Sequence, residues 1–262
     1  MRPTHSFFGG CFMESYNTLA ECYDDFTEDV KYIKWADYLT SLFEKYGDGG
    51  EMREILDLAC GTGSLSLILA ERGYEVIGTD ASEEMLAVAQ EKAFELPENR
   101  PMFLCQRMEE LDLYGTVDAA VSCLDSLNYL TDKESLETAF SRLKFFIRPG
   151  GIFIFDVNTH EKFSFLDGQS FIRENDDFFC AWTAEYDEEE KLCSFYYDIF
   201  RETEDGLWER SFEEHIERAH SRDEIKNALE KAEFELVAEF GELSDKAPEE
   251  NEQRIFYVAR RK

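Results

Sequence analysis

The stretch from Ile55 to Asp80, "ILDLACGTGSLSLILAERGYEVIGTD", holds the residues best suited to chemistry: Gly61 and Gly63 in a Gly-Thr-Gly turn, with Asp57 before it and Asp80 after it. Glycine lets a backbone turn tightly and approach a ligand, and the amides of a following helix N-terminus face whatever binds there. Such a turn cradles a nucleotide-like cofactor, although Gly-x-Gly alone has low specificity. The two acids sharpen it. Asp80 closes an apolar run, where a carboxylate can accept bonds from both hydroxyls of a ribose. Asp57 sits inside the preceding apolar run, where an unpaired buried charge is costly; it either orders the glycine loop or accepts a bond from a cationic amine. A dinucleotide site wants a small third residue where this chain has Ser66 and leaves Asp57 with little to do, which argues against a nicotinamide-dependent oxidoreductase.

The elements that must hold these residues alternate. Strand-like runs cover Glu54 to Leu58, Glu75 to Thr79, Met102 to Gln106, Val117 to Cys123 and Ile152 to Val157. Helix-like runs lie between them: Leu65 to Arg72, ending at Gly73; Ser82 to Ala93, with Ser82 as N-cap; and Asp132 to Arg148, opened by Thr131 and Glu134 in capping-box spacing and stopped by Pro149-Gly150-Gly151. Before them, Ser15 to Tyr46 shows Tyr32, Trp35, Leu39, Leu42 and Phe43 at helical spacing. This order implies an α/β fold, a doubly wound, Rossmann-like parallel sheet. From Phe171 to Ala219 the pattern changes to strands without helices, "FFCAWTAEY", "LCSFYYDIFRE" and "WERSFEEHIERAH", a small inserted antiparallel β-sheet. A helix with Ser221 and Glu224 as a second capping box follows, then strands Phe234 to Phe240 and Arg254 to Ala259. Residues 1–14 read as a disordered extension, 15–158 and 220–262 as the cofactor-binding domain with N-terminal capping helices, and 159–219 as the insert.

The chain has 262 residues, 44% hydrophobic and 15% aromatic, enough for a large core. Its 58 acidic against 27 basic residues give a net charge of -31, a field that repels phosphate backbones and disfavours nucleic acid as partner. Seven scattered cysteines without C-x-x-C spacing fit neither a disulfide framework nor a zinc site, so no metal is expected. No apolar run reaches the roughly 18 residues of a membrane helix, and no secretory pattern opens the chain; a cytoplasmic protein is expected. The oligomeric state is open.

The "DLACGTG" block followed by "GTDAS" resembles the cofactor-binding region of class I S-adenosylmethionine-dependent methyltransferases. From about Ser15 to Lys262 the chain is similar to a bacterial subgroup of small methyltransferases with an inserted antiparallel sheet, through "YNTLAECYDDF", "KWADYL", "CLDSLNYL", "GGIFIFDVN" and "EEHIERAHSRDEI". The resemblance implies S-adenosylmethionine as cofactor and a small-molecule methyl acceptor; a non-catalytic S-adenosylmethionine or S-adenosylhomocysteine binder would carry the same site. By position, Asp57, Ala59, Cys60, Gly61 and Gly63 meet the methionine part, Asp80 the ribose, and Ala81 and Met85 the adenosine. Where the family presents an acid to adenine, this chain has Arg107; either Gln106 and the Met108 amide read adenine or the correspondence slips by one residue. Cys123, Leu124 and Asn128 pass near the sulfonium, and Tyr16 and Trp35 cap the cofactor, although Tyr16 and Tyr23 also suit plain helix packing. Methyl transfer is a displacement governed by alignment and exclusion of water. A base is optional; Asp125, Asp156, His160 and His215 are the candidates, each also suited to a structural role. Trp182, Tyr186, Phe195, Tyr197 and Phe200 form either one packed face of the insert or a substrate wall.

Overall fold

The computed structural model describes residues 19–262, apart from residues 51 and 204. A 3-10 turn (Leu19–Cys22), α1 (Tyr23–Phe26) and α2 (Tyr32–Tyr46) come first. Then β1 (Glu54–Leu58), α3 (Ser64–Glu71), β2 (Glu75–Asp80), α4 (Glu83–Phe94), β3 (Met102–Cys105), β4 (Val117–Ser122), α5 (Lys133–Leu143) and β5 (Ile147–Asn158) alternate. After α6 (His160–Leu166) four strands follow in succession: β6 (Ser170–Glu174), β7 (Phe178–Asp187), β8 (Leu192–Glu202) and β9 (Trp208–Arg218). The chain ends with α7 (Arg222–Lys231), β10 (Phe234–Gly241) and β11 (Arg254–Arg261).

The central sheet runs β10-β11-β5-β4-β1-β2-β3. β3, β2, β1, β4 and β5 are parallel, and β11 and β10 join antiparallel beyond β5. The winding reverses between β1 and β4, so the loops leaving those strands open the crevice in which such sheets bind ligands. Alternation builds the two covered faces. Phe153, Phe155 and Tyr257 stack on one side and meet Phe140 of α5 and Leu229 of α7. Ile152, Ile154, Phe256 and Val258 point to the other, under Trp35, Leu39 and Phe43 of α2 and Leu65 and Leu69 of α3.

The insert is a four-stranded antiparallel sheet, β6-β7-β8-β9. Its inner face buries Cys180, Ala184, Phe195, Tyr197 and Ile199 against Leu19, Phe163 and Leu166. Trp182 and Tyr186 pack on that same face, whereas Phe200 contacts Phe179 at 5.9 Å on the other. Along β9 the inward positions are polar, Glu213, His215 and Glu217, all buried.

Three local expectations are corrected. The fifth helix ends at Leu143 rather than Arg148, because Ile147 pairs with Val117 and Arg148 is drawn into ion pairs with Asp48 and Asp118. Its cap is Asp132, not Thr131: the Asp132 carboxylate accepts the Ser135 amide at 2.8 Å. The third is α6, a helix that Thr159 caps and Phe163 and Leu166 bury, in a stretch whose sequence pattern predicts no helix. No described helix is long and apolar enough to cross a membrane.

Candidate active site

At the carboxyl end of β1 the chain turns through left-handed backbone at Ala59 (φ 58°), Gly61 (φ 56°) and Gly63 (φ 73°) before entering α3. Gly63 is required by packing as well: a Cβ there would stand 2.9 Å from the Phe103 ring and 3.0 Å from the Ala89 methyl. The turn is ordered by Asp80, not Asp57. One Asp80 oxygen accepts the Gly61 amide at 2.8 Å and the other the Ser82 amide at 2.9 Å. Burial pushes the Asp80 carboxyl up, and these amides pull it back. Asp57 is 2% exposed and accepts a bond from the Ser66 hydroxyl. Burial raises it to about 6, with Ser66 opposing and the charge of Asp80 reinforcing. No cationic side chain among the described residues pairs with either acid.

These groups line a cleft of about 640 Å³. From β1 and its turn come Asp57, Ala59, Cys60, Gly61 and Thr62; from β2 and the start of α4, Asp80, Ala81 and Met85; beyond β3, Gln106, Arg107, Met108 and Glu109. Cys123, Leu124, Ser126 and Tyr129 follow β4, Tyr23 and Tyr32 descend from the N-terminal segment, and Glu214 and Ile216 approach from the edge of the inserted sheet. The N-terminal segment is fastened to the glycine turn by Lys92, whose ammonium meets Asp24 at 2.7 Å and Ser64 at 2.8 Å, while Thr62 donates to Asp24 at 2.7 Å. The thiols of Cys60 and Cys123 are pushed well up by burial and stay protonated.

The loop after β4 is held from below. Leu124 (φ 60°) and Asp125 (φ 58°) are consecutive non-glycine residues in the left-handed region, which costs of order 1–2 kcal/mol each. The buried Asp156 carboxylate offsets that cost by accepting both amides, at 2.8 and 3.1 Å. Arg254, on β11, bridges the arrangement by pairing with Asp156 and, at 2.8 Å, with Asp125. Burial raises Asp156 to about 6 against the pull of Arg254.

Several expected site residues stand elsewhere. Trp35 is buried in the α2 face, 5.2 Å from Phe256 and over the Arg254 guanidinium at 5.6 Å, so it caps the core instead of the cleft. Asn128 is buried and donates to the carbonyls of Asn158 and Arg218 at 2.9 and 2.8 Å, tying the β4 loop to the insert. Gly63 backs onto β3 and α4. Asp125 and Asp156 are spent on the loop just described. His160 lies on the surface, bonded to the Tyr186 hydroxyl at 2.9 Å. His215 is fully buried behind Tyr129. Tyr16 lies outside the described residues. Gln106 lines the cleft, but its amide is committed to the backbone of Asp112 at 3.0 and 2.9 Å. Conversely, Tyr32, Tyr129, Glu109, Glu214, Ile216 and the tether Arg254 were not singled out. The signal for Arg254 was an arginine opening the apolar run "RIFYVA", which demands a buried partner; Glu214 and Ile216 are brought to the cleft by tertiary packing alone.

The site fits S-adenosylmethionine. Two carboxylates with no cationic partner among the described residues face a turn whose backbone is open to close approach, and that ligand brings an ammonium and ribose hydroxyls. Residues 55–151 match the methyltransferase domain family. YqeM of Bacillus subtilis (strain 168), named as a methyltransferase, is 32% identical over 249 residues, covering 94% of this chain and 97% of that protein. The crystal structure of an S-adenosylmethionine-dependent methyltransferase from Clostridium acetobutylicum ATCC 824 is 30% identical, with a TM-score of 0.83 over 95% of this chain and 99% of that one. CalS10, an amino pentose methyltransferase of Micromonospora echinaspora solved with its cofactor bound, shares the fold at 18% identity and TM-score 0.70, over 98% of this chain and all of that one. With the glycine turn, its paired carboxylates and these likenesses spanning nearly the whole sequence, the chain belongs to the S-adenosylmethionine-dependent methyltransferases.

Proposed function

We propose that the protein methylates a small molecule held in the same cleft as S-adenosylmethionine. The observation that carries this reading is the shared cleft: Tyr23 and Tyr32 of the N-terminal segment and the β9 edge residues Glu214 and Ile216 line the same space as the carboxylates, of a size within the roughly 300–1,000 Å³ typical of small-ligand sites. When bound, S-adenosylmethionine supplies an electrophilic methyl carbon on sulfur. Asp57 takes the ammonium of its methionine part. Asp80 accepts the ribose hydroxyls, since each oxygen keeps a lone pair beyond the amide it already accepts. Ala81 and Met85 lie along the adenosine, and with Gln106 committed to Asp112, the backbone near Met108 reads the adenine edge. Cys123 and Leu124 border the reacting centre, and Tyr23, Tyr32 and Ile216 exclude water.

Glu109 and Glu214 outnumber Arg107 among the remaining charged groups of the cleft, which suits a neutral or cationic acceptor and disfavours a phosphorylated one. An amino sugar, as the name of the pentose methyltransferase implies for that enzyme, is one such acceptor. We place the protein in the cytoplasm on its scattered cysteines, whose spacing suits no disulfide framework, a pattern of reducing compartments.

Calorimetric titration with S-adenosylmethionine, S-adenosylhomocysteine and NAD tests the cofactor side, and saturation by the two sulfur compounds alone is expected. Asp80→Ala should weaken both about tenfold or more; an unaltered Kd removes the ribose role. Screening amines, hydroxylated compounds and thiols for methyl transfer tests the acceptor side, and turnover only on a macromolecule would overturn it.

A further inference from the structure

A chain of hydrogen bonds runs from the cleft into the insert. The Tyr129 side chain lines the cleft, and its hydroxyl lies 3.1 Å from Nδ1 of His215. Nε2 of His215 lies 2.9 Å from Oε2 of Glu213, whose other oxygen accepts the Leu19 amide at 2.9 Å. His215 has no exposed surface and Glu213 is 7% exposed. A carboxylate at Nε2 fixes the proton there, which leaves Nδ1 as the acceptor for the tyrosine O–H and the phenol oxygen as an acceptor in its turn. From β8, Tyr197 packs on the imidazole at 4.9 Å between centroids, and Cys22 and Tyr23 of the N-terminal segment stand near Glu213 and Tyr197. Burial pushes the Cys22 thiol up to about 12 and the Tyr197 phenol well above its ordinary range, so neither adds a competing charge.

We propose that Tyr129, relayed through His215 to Glu213, receives the proton of the methyl acceptor, and hence that the acceptor reacts through a hydroxyl or an amine N–H. This rests on the small-molecule reading of the cleft. The acceptor's lone pair forms the bond to the methyl carbon while the carbon–sulfur pair returns to sulfur. The acceptor's proton passes to the Tyr129 oxygen as the tyrosine's own proton moves to Nδ1 of His215. The positive charge lost at sulfur reappears on an imidazolium held against Glu213, and after product leaves, the proton returns through Tyr129 to solvent. A thiolate or a tertiary amine has no proton to give and no use for the relay. Tyr129 is the catalytic residue; His215 and Glu213 position and polarise it.

The test begins without an acceptor. Nitrogen NMR of labelled histidine, with His215→Gln for assignment and S-adenosylhomocysteine bound, should show His215 as the Nε2–H tautomer, with the Nδ1 resonance displaced in Tyr129→Phe. An Nδ1–H tautomer, or an imidazolium throughout the neutral range, overturns the relay. With an accepted amine or alcohol, Tyr129→Phe should lower kcat by about 10²–10⁴-fold with S-adenosylhomocysteine affinity unchanged. Glu213→Gln should move the basic limb of the kcat–pH profile, a change that a purely structural bond would not produce. Unchanged kcat in Tyr129→Phe, or turnover of thiols alone, rejects the proposal. Failure of every small acceptor while the tautomer is as expected counts against the small-molecule reading, and the relay is then decided by the NMR result.

Discussion

Asp57 meets two opposed demands. Ionised, it can hold an ammonium; buried at 2% exposure, it is penalised for the same charge. Its pKa is near 6 in the folded protein against an ordinary 3.8, so between those values the native state binds more protons than the unfolded chain. Its contribution therefore opposes folding increasingly as pH rises from about 4 to about 6, and the cost persists above that. Asp57→Asn should melt higher than the wild type at pH 7 while binding S-adenosylmethionine about 10–100-fold less tightly, the value of one charge-assisted bond. Wild-type affinity should also fall as pH drops through about 6, with the variant flat over that range; parallel profiles by calorimetry would dissociate Asp57 from the ammonium. This residue was legible in the sequence because an acid within an apolar strand is conspicuous by itself. Which of its two candidate roles it fills was not legible, since only the pairing of β1 with β2 brings Asp80 to the Gly61 amide and gives Asp80 the ordering of the turn.

The loop that follows β4 shows how one element depends on others distant in sequence. Two left-handed residues persist there because Asp156 on β5 and Arg254 on β11 over-determine them. Asp156→Ala removes the acceptor of two amides and one carboxylate partner of the buried Arg254, leaving it Asp125, so it should cost about 2–4 kcal/mol in urea denaturation. A loss below about 1 kcal/mol would mean that the loop holds its shape unaided. The strands and helices around it were readable because their cues are local: period-two and period-3.6 apolar spacing, Ser82 and Ser221 as caps, Gly73 as a stop. The misplaced end of α5 has the opposite origin. Residues 144–148 continue a helical pattern, but Arg148 gains two carboxylate partners only when β5 reaches back to Asp118 and Asp48, and tertiary pairing prevails over local preference.

Over the whole molecule, the excess of acids makes the compact state repel itself. The net charge of -31 is screened only by salt, with a Debye length falling from about 30 Å at 0.01 M to about 8 Å at 0.15 M. Thermal melts should accordingly shift upward by several degrees across that range, while S-adenosylmethionine, cationic at its reacting end, associates more slowly as salt rises. A melting temperature that falls with salt would show that the surface ion pairs outweigh the repulsion. The glycine turn and its acids were visible because they lie in one continuous stretch; Tyr129 and Glu214 were not, because they join the cleft only across the assembled fold, from which Arg254 also supports the β4 loop.

That long reach has a consequence for how the protein matures. Arg254 meets Asp125 and Asp156 across 129 and 98 residues of chain, from a strand that slots between β5 and β10. A nascent polypeptide can form β1, the turn and β2 early, from neighbouring segments, yet its β4 loop lacks the Arg254 anchor until β11 has been translated and paired. Until then, the growing chain carries half a binding site, and affinity for the ligand waits on residues 254–261.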